Sequence, residues 1–321
     1  MNKYLSPLLL LSMLAGLLAF PLLDSPFYTE LLAKTVILGI FAMSLDLLVG
    51  FTGLVSLGHA AYFGIASYVV ALMTPKYEAA SFWTTFPAAV GISALSALVV
   101  GIFVLRTKGI YFIMVTLAFA QMAFYLFHDT KLGGGSDGIY LNLKPETLLF
   151  EMKPFDLDNP QHLYYLIVGS LVVVYVFLKL VLRSPFGKVL VGIKSNEHRM
   201  KSMGYNTFGY KLAAFTIAGG LAGIAGYLYA VLFGFVTPEL MSWHQSGNVL
   251  LMVILGGMGN LVGALLGALA FVGMQEVFSG WTKHWQLVMG SVIVAAVLFL
   301  PGGLSAIPRR MKNAFMGGDD K

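Results

Sequence analysis

The feature that most constrains this chain is a series of apolar runs about as long as a bilayer is thick. A helix needs about 20 apolar residues to cross the hydrocarbon core, and residues 5–23, 31–50, 83–105, 110–127, 163–182, 212–233 and 285–300 each supply such a run or nearly so. Residues 58–73 form a shorter, glycine-rich run. Residues 248–274 are too long for one ordinary span and are interrupted by Gly256, Gly257, Gly259 and Asn260. The runs are continuous, whereas the strands of a membrane β-barrel alternate in polarity over about ten residues. The expected fold is an all-α polytopic membrane protein of about eight to ten transmembrane or re-entrant helices, some of them broken glycine-rich half-helices.

Composition enters here as a filter on function. Charged residues make up 11% of the chain and mean hydropathy is +0.82, against about 25% charged residues in soluble domains. A soluble enzyme, a disordered scaffold and a secreted disulfide-rich domain are excluded, because a folded soluble surface needs polar cover. The absence of cysteine removes thiol catalysis, iron–sulfur clusters and cysteine zinc sites. The 36 glycines fit close helix packing. A net charge of +5 reflects basic cytoplasmic loops rather than nucleic-acid binding.

Charge also orients the chain. Residues 183–210 hold Arg183, Lys188, Lys194, Arg199 and Lys201 against Glu197 alone, while residues 128–162 hold Asp129, Asp137, Glu146, Glu151, Asp156 and Asp158 against three lysines. The excess of Lys and Arg puts 183–210 inside and 128–162 outside. Alternation then sets both termini in the cytoplasm, with 1–305 as one transmembrane domain and 306–321 as a tail. The first run exceeds a signal-peptide core and no A-x-A site closes it, so it is expected to stay as a span. Parity requires 248–274 to return to its own side as a hairpin broken near Gly256–Asn260. The competing arrangement is one tilted helix with the C-terminus outside. Gly50-Phe-Thr-Gly53, followed by Gly58 and Gly64, loosely echoes Gly256-Gly-Met-Gly259, followed by Gly263 and Gly267. Paired glycine-interrupted segments point to a transporter's substrate path, although a glycine-rich chain also produces such echoes by chance.

Reactive groups are scarce inside the apolar runs: Lys34, Asp46, His59 and, near a span end, Glu276. No carboxylate chain for a proton relay, zinc-protease motif, nucleophile elbow or phosphate-binding loop is present. The chain has no catalytic residues and no metal site, and any driving energy must come from another subunit or an ion gradient. Ser56 is placed to cap a helix beginning near Gly58, whose free N–H groups could receive a carboxylate. His59 and Tyr62 share one face of that helix, and packing alone is the competing explanation. Thr116 and Gln121 either line a pore or bond between helices. In the basic segment, Asn196 is placed to cap a short helix over Glu197–Met203 that Gly204 ends. A merely solvated loop is the alternative.

Three stretches together resemble the LivM-type permease subunits of branched-chain amino acid ATP-binding-cassette importers. They are Gly53-Leu-Val-Ser-Leu-Gly-His-Ala-Ala-Tyr-Phe-Gly-Ile-Ala-Ser-Tyr68, Ser184-Pro-Phe-Gly through Asn196-Glu197 to Met203-Gly204, and Leu250-Leu-Met-Val-Ile-Leu-Gly-Gly-Met-Gly-Asn260. The closing Leu298-Phe-Leu-Pro-Gly-Gly-Leu304 also fits. The resemblance implies a LivH-like second permease, separate cytoplasmic ATPase subunits that bind the ATP, and a periplasmic solute-binding protein, all at the bacterial or archaeal inner membrane. It implies ATPase coupling through Asn196, Glu197, His198, Lys201 and Gly204. His198, Arg199 and Met200 stand where the family often has small alanines. The substrate-path candidates are Ser56, Gly58, His59, Tyr62, Thr116, Gln121, Gly256 and Gly257. Hydrophobic amino acids are the expected cargo, urea or short amides the alternative, and a stand-alone transporter or channel the rival class. Gly133–Gly135 and Asp137-Gly138, in the outer segment, either meet the binding protein or form a mobile connection.

Overall fold

The computed structural model describes residues 16–18, 20, 25–75, 77–148, 156–300 and 302–306. Most of the expected first span and the tail with Arg309, Arg310 and Lys312 lie outside them. The chain is a helical bundle. α1 (Pro26–Asp46) runs into a π-helical turn (Leu47–Thr52), and α2 (His59–Met73), α3 (Phe82–Val104), α4 (Ile110–His128) and α5 (Pro160–Arg183) follow. Two short helices, α6 (Pro185–Ser195) and α7 (Glu197–Ser202), precede α8 (Thr207–Phe233), α9 (Trp243–Gly256), α10 (Leu261–Trp281) and α11 (Trp285–Phe299). The strands are β1 (Ile139–Tyr140) and β2 (Phe235–Val236), paired antiparallel with Ile139 opposite Val236.

Six of these segments are long and apolar enough to cross a membrane, with α2 and α11 as shorter apolar helices. The protein is therefore an all-α, multi-pass membrane protein. Its helices differ in role. The apolar windows of Pro26–Thr52 and Thr207–Phe233 are 89% and 72% buried inside the protein, whereas that of Ile110–His128 is only 17% buried. α1 and α8 form the middle, and α3, α4 and α5 turn apolar side chains such as Leu95, Met122 and Val173 outward.

Small residues explain how α8 reaches the centre. A Cβ at Gly226 would strike the Phe63 carbonyl of α2, and one at Gly219 would strike Ala97 of α3. Without these side chains the backbones approach closely enough for hydroxyls to bridge them. Ser93 donates to the Gly219 carbonyl at 2.8 Å, and Ser67 donates to the Gly226 carbonyl at 2.8 Å.

The two ends of the bundle are chemically distinct. The basic end carries the Arg106–Lys108 turn and α6–α7. The acidic end carries the segment between α4 and α5. That segment is tied down: Phe82 N–H donates to the Glu146 carbonyl at 2.8 Å, and Leu141 N–H donates to the Gly234 carbonyl at 2.8 Å. Its glycines serve the turns, with Gly134, Gly135 and Gly138 at positive φ.

Residues 248–274 do not form one tilted helix. They divide between α9 and α10, which fold back on each other at Gly257–Asn260. Gly257 (φ 106) and Gly259 (φ 82) occupy a region that L side chains avoid. Gly256 lies against the Gly263 carbonyl and Gly267 against the Met252 carbonyl, so the hairpin closes backbone on backbone. α11 then returns to the basic end, where Gly302 and Gly303 pack on Gly257.

Candidate functional site

The centre of the bundle holds a polar cluster at the start of α2. α1 leaves regular helix at Leu47, turns at Gly53 (φ 78) and gives way to a non-helical stretch before α2 begins at His59. This places the N-terminus of α2 beside Ser44 of α1, well inside the bundle. Non-helical backbone is tolerated at such a place only when it is buried in protein or lines a cavity. Here its inner end is buried, at Ser56 and Gly58, while Gly53 at the other end is exposed.

Hydrogen bonding orders the cluster. Ser44 Oγ donates to the Phe41 carbonyl at 2.7 Å and lies 2.8 Å from His59 Nε2. The His59 ring stacks on Phe41 with centroids 5.5 Å apart and meets Tyr62 edge-on at 5.8 Å, so His59 and Tyr62 do share a face. His59 Nδ1 is buried without a hydrogen-bond partner among the described residues.

The expected helix cap is displaced. Gly58, not Ser56, is the residue before the first helical turn, and Ser56 Oγ accepts the Gly58 N–H at 3.2 Å. The free N–H of Ala60 is met from elsewhere. Ser246 of α9 accepts it at 2.9 Å across 186 residues of sequence. Ser44 and Ser246 are the members of the site that sequence reading missed, because no local spacing announces a contact so distant.

The remaining path candidates divide. Thr116 is buried on α4, bonds back to the Ile113 carbonyl at 2.8 Å, and its own carbonyl closes against Gly58. Gln121 is half-buried and lies off the Phe112–Thr116–Ala120 stripe of buried residues. Gly256 and Gly257 are not part of the His59 cluster. They lie at the basic end, about 15 Å along α9 from Ser246 at 1.5 Å per residue. A cavity of about 600 Å³ opens at the acidic end beside Glu30, Lys144, Asn159 and Tyr164, and none of the path candidates lines it. Among the described residues, no group of three His, Asp or Glu side chains is arranged to hold a metal ion.

The short helix expected over Glu197–Met203 is built much as the sequence indicates. Asn196 Oδ1 accepts the Arg199 N–H at 2.9 Å and starts α7. Gly204 (φ 85) ends it: Gly204 N–H donates to the Lys201 carbonyl at 2.9 Å and Tyr205 N–H to the Met200 carbonyl at 3.2 Å. This pair of bonds is the Schellman closure. Helical geometry stops at Ser202, with Met203 as the cap.

Glu197 faces inward. Its carboxylate takes Lys211 Nζ at 2.6 Å, Lys201 Nζ at 3.1 Å and the Thr207 hydroxyl at 3.2 Å, tying α7 to the base of α8. Partial burial pushes this carboxyl up, but the hydrogen bonds and charges of Lys211 and Lys201 outweigh it and hold the group at about 2. His198, Arg199 and Lys201 are left on the outside, with Met203 64% exposed beside them.

A family model described as branched-chain amino acid transport system / permease component matches residues 27–300. The chain is 30% identical over 321 aligned residues to a Salmonella typhimurium protein named high-affinity branched-chain amino acid transport system permease protein LivM. That alignment covers 94% of this chain and 75% of the relative. The protein of the same name from Escherichia coli K12 is 30% identical over 334 residues, covering 97% and 78%. An autoinducer 2 import system permease, LsrC of Photorhabdus laumondii, is 24% identical over 176 residues, covering 53% of this chain and 52% of its own length. No solved structure matches.

Proposed function

This chain belongs to the branched-chain amino acid transport permease family, and from that premise we propose that it is the LivM-type membrane subunit of an ATP-driven importer of branched-chain amino acids. In this reading it shares the translocation path with a LivH-like permease, and a solute-binding protein delivers cargo at the acidic, outer end. Separate cytoplasmic ATPase subunits bind and hydrolyse the ATP. The observation that carries the proposal is α7. It is a capped two-turn helix, braced from behind by Glu197 and offering His198, Arg199, Lys201 and Met203 at the basic end. Such a helix is a rigid knob suited to a groove on another protein.

The brace also gives each coupling residue a distinct part. Asn196 and Gly204 fix where α7 starts and stops, Glu197 sets its angle to α8, and His198 and Lys201 form the docking face. Since the Glu197 carboxyl is held below its ordinary value, the brace contributes fully above pH 4.5 and is lost as pH falls toward 2. It is complete at neutral pH.

The test is reconstitution with the second permease, the ATPases and the binding protein, measuring uptake of leucine, isoleucine and valine. ATP-dependent uptake is expected, with urea and short amides failing to compete. Uptake by the isolated chain without ATP would overturn the importer reading, and capture of urea by the binding protein would overturn the cargo. Glu197→Ala combined with Gly204→Pro is expected to leave ATP hydrolysis running while solute uptake stops.

A further inference from the structure

Asp46 is the one fully buried acidic side chain among the described residues, and neither the α2 cluster nor α7 accounts for it. It stands on the last residue of α1, where the helix passes into the π-turn Leu47–Thr52. Its Oδ1 accepts the Gly259 N–H at 2.8 Å, joining α1 to the turn between α9 and α10. At the same place Lys194 of α6 donates to the Gly50 carbonyl at 2.5 Å. A Cβ built on Gly50 would strike both Asp46 Oδ1 and the backbone of Gly259, so these surfaces have no room to slide. Three elements distant in sequence thus meet at one joint, buried at Asp46 and open to the surface at Lys194. α6 leads through Asn196 directly into α7, and α9 carries Ser246, the acceptor of Ala60 N–H.

We propose that Asp46 and Lys194 are positioning residues that form a rigid strut, carrying displacement of α6–α7 to the two helix breaks, the first of which leads into the start of α2. The proposal rests on the importer reading for its direction of force. The alternative route from α7 runs through Glu197 and Lys211 into α8, which also packs on the π-turn but bypasses the Asp46–Gly259 bond. A rigid strut has a distinctive consequence: a covalent tie in its place must work as well as the charged one.

The chain has no cysteine, so the tie needs only two new residues, one of them at Gly53, whose positive φ of 78 makes the single variant the control for backbone strain. The Cβ position of Gly53 lies 3.7 Å from Lys194 Cβ, within the range of about 3.5–4.5 Å for a disulfide. In the reconstituted transporter, Gly53→Cys with Lys194→Cys under reducing conditions is expected to hydrolyse ATP at the wild-type rate and to move at least tenfold less solute per ATP. Oxidation is expected to restore most of that ratio. Gly53→Cys alone should remain coupled, and Lys194→Met and Asp46→Leu should each behave as the reduced pair. A wild-type solute-to-ATP ratio in Lys194→Met, or arrest rather than recovery on oxidation, would overturn the strut. Failure of the importer reading shows separately, as a wild-type complex with no ATP-driven uptake. In that event amide hydrogen exchange decides: Lys194→Met should speed exchange across 257–260 at least tenfold, and unchanged protection there rejects the joint.

Discussion

The two helix breaks, Leu47–Gly58 and Gly256–Asn260, share a glycine pattern in sequence and touch each other in space through Gly50 and Gly259, yet they are built for different ends. The second is a tight hairpin. α9 and α10 press together with glycine against carbonyl, and Asn260 caps α10 by accepting the Val262 N–H at 3.1 Å. The first opens wider. Its π-turn and non-helical stretch set α2 back into the bundle and bring His59 onto Ser44. The lesson is that one backbone device, a glycine break with no side chain in the way, can serve as a tight hairpin in one place and as a polar site in the other.

The sharpest attack on the comparison is steric. Gly256→Ala and Gly58→Ala each drive a methyl group into a backbone carbonyl, of Gly263 and of Thr116 respectively. Each is expected to destabilise the chain by about 3 kcal/mol, at the upper end of overpacking, read as a fall in the thermal midpoint in detergent. If alanine is accepted at 58 and rejected at 256, the two breaks do not share a packing principle. The next effect belongs to the first break alone. Ser44→Ala strands His59 Nε2 in a buried site and should cost about 2 kcal/mol, in the range for an unsatisfied buried group. Adding His59→Leu to Ser44→Ala should recover part of that loss, and a double-mutant cycle measures it. Strictly additive losses would mean the pair is not coupled.

Smaller effects test what links the breaks. Ser246→Ala removes the acceptor of Ala60 N–H and should cost about 1 kcal/mol, with faster hydrogen exchange confined to the first turn of α2. Exchange that stays protected would show that α9 does not hold that helix end. The smallest change is Asn260→Ala, which removes a cap worth about 1 kcal/mol or less and should loosen the start of α10 while leaving the His59 cluster untouched.

Much of this was legible in the chain because it rests on local rules. The apolar runs fix where helices cross, and the basic density of 183–210 marks one end. Asn196 and Gly204 bound α7 as capping chemistry requires. Even the break at 256–260 follows from glycines that alone accept positive φ. The cap of α2 was misread for an equally local reason. Ser56 and Gly58 both favour such a position, and only the path of the preceding π-turn selects Gly58. Ser246 on Ala60 and Gly259 on Asp46 could not be read at all, since both join residues more than 180 positions apart.

By itself, then, the sequence determined that this is a membrane-embedded helical permease, which segments are long and apolar enough to span, and where the short helix α7 begins and ends. Those properties depend on hydropathy, charge and capping within a few helical turns. Only the tertiary structure decided that α1 and α8 form the middle, that a serine from α9 closes the start of α2, and that Asp46 bonds Gly259 where Lys194 bonds Gly50. Such pairings depend on which backbones come close enough to exchange hydrogen bonds. That is a property of how all the helices pack together, not of any one segment.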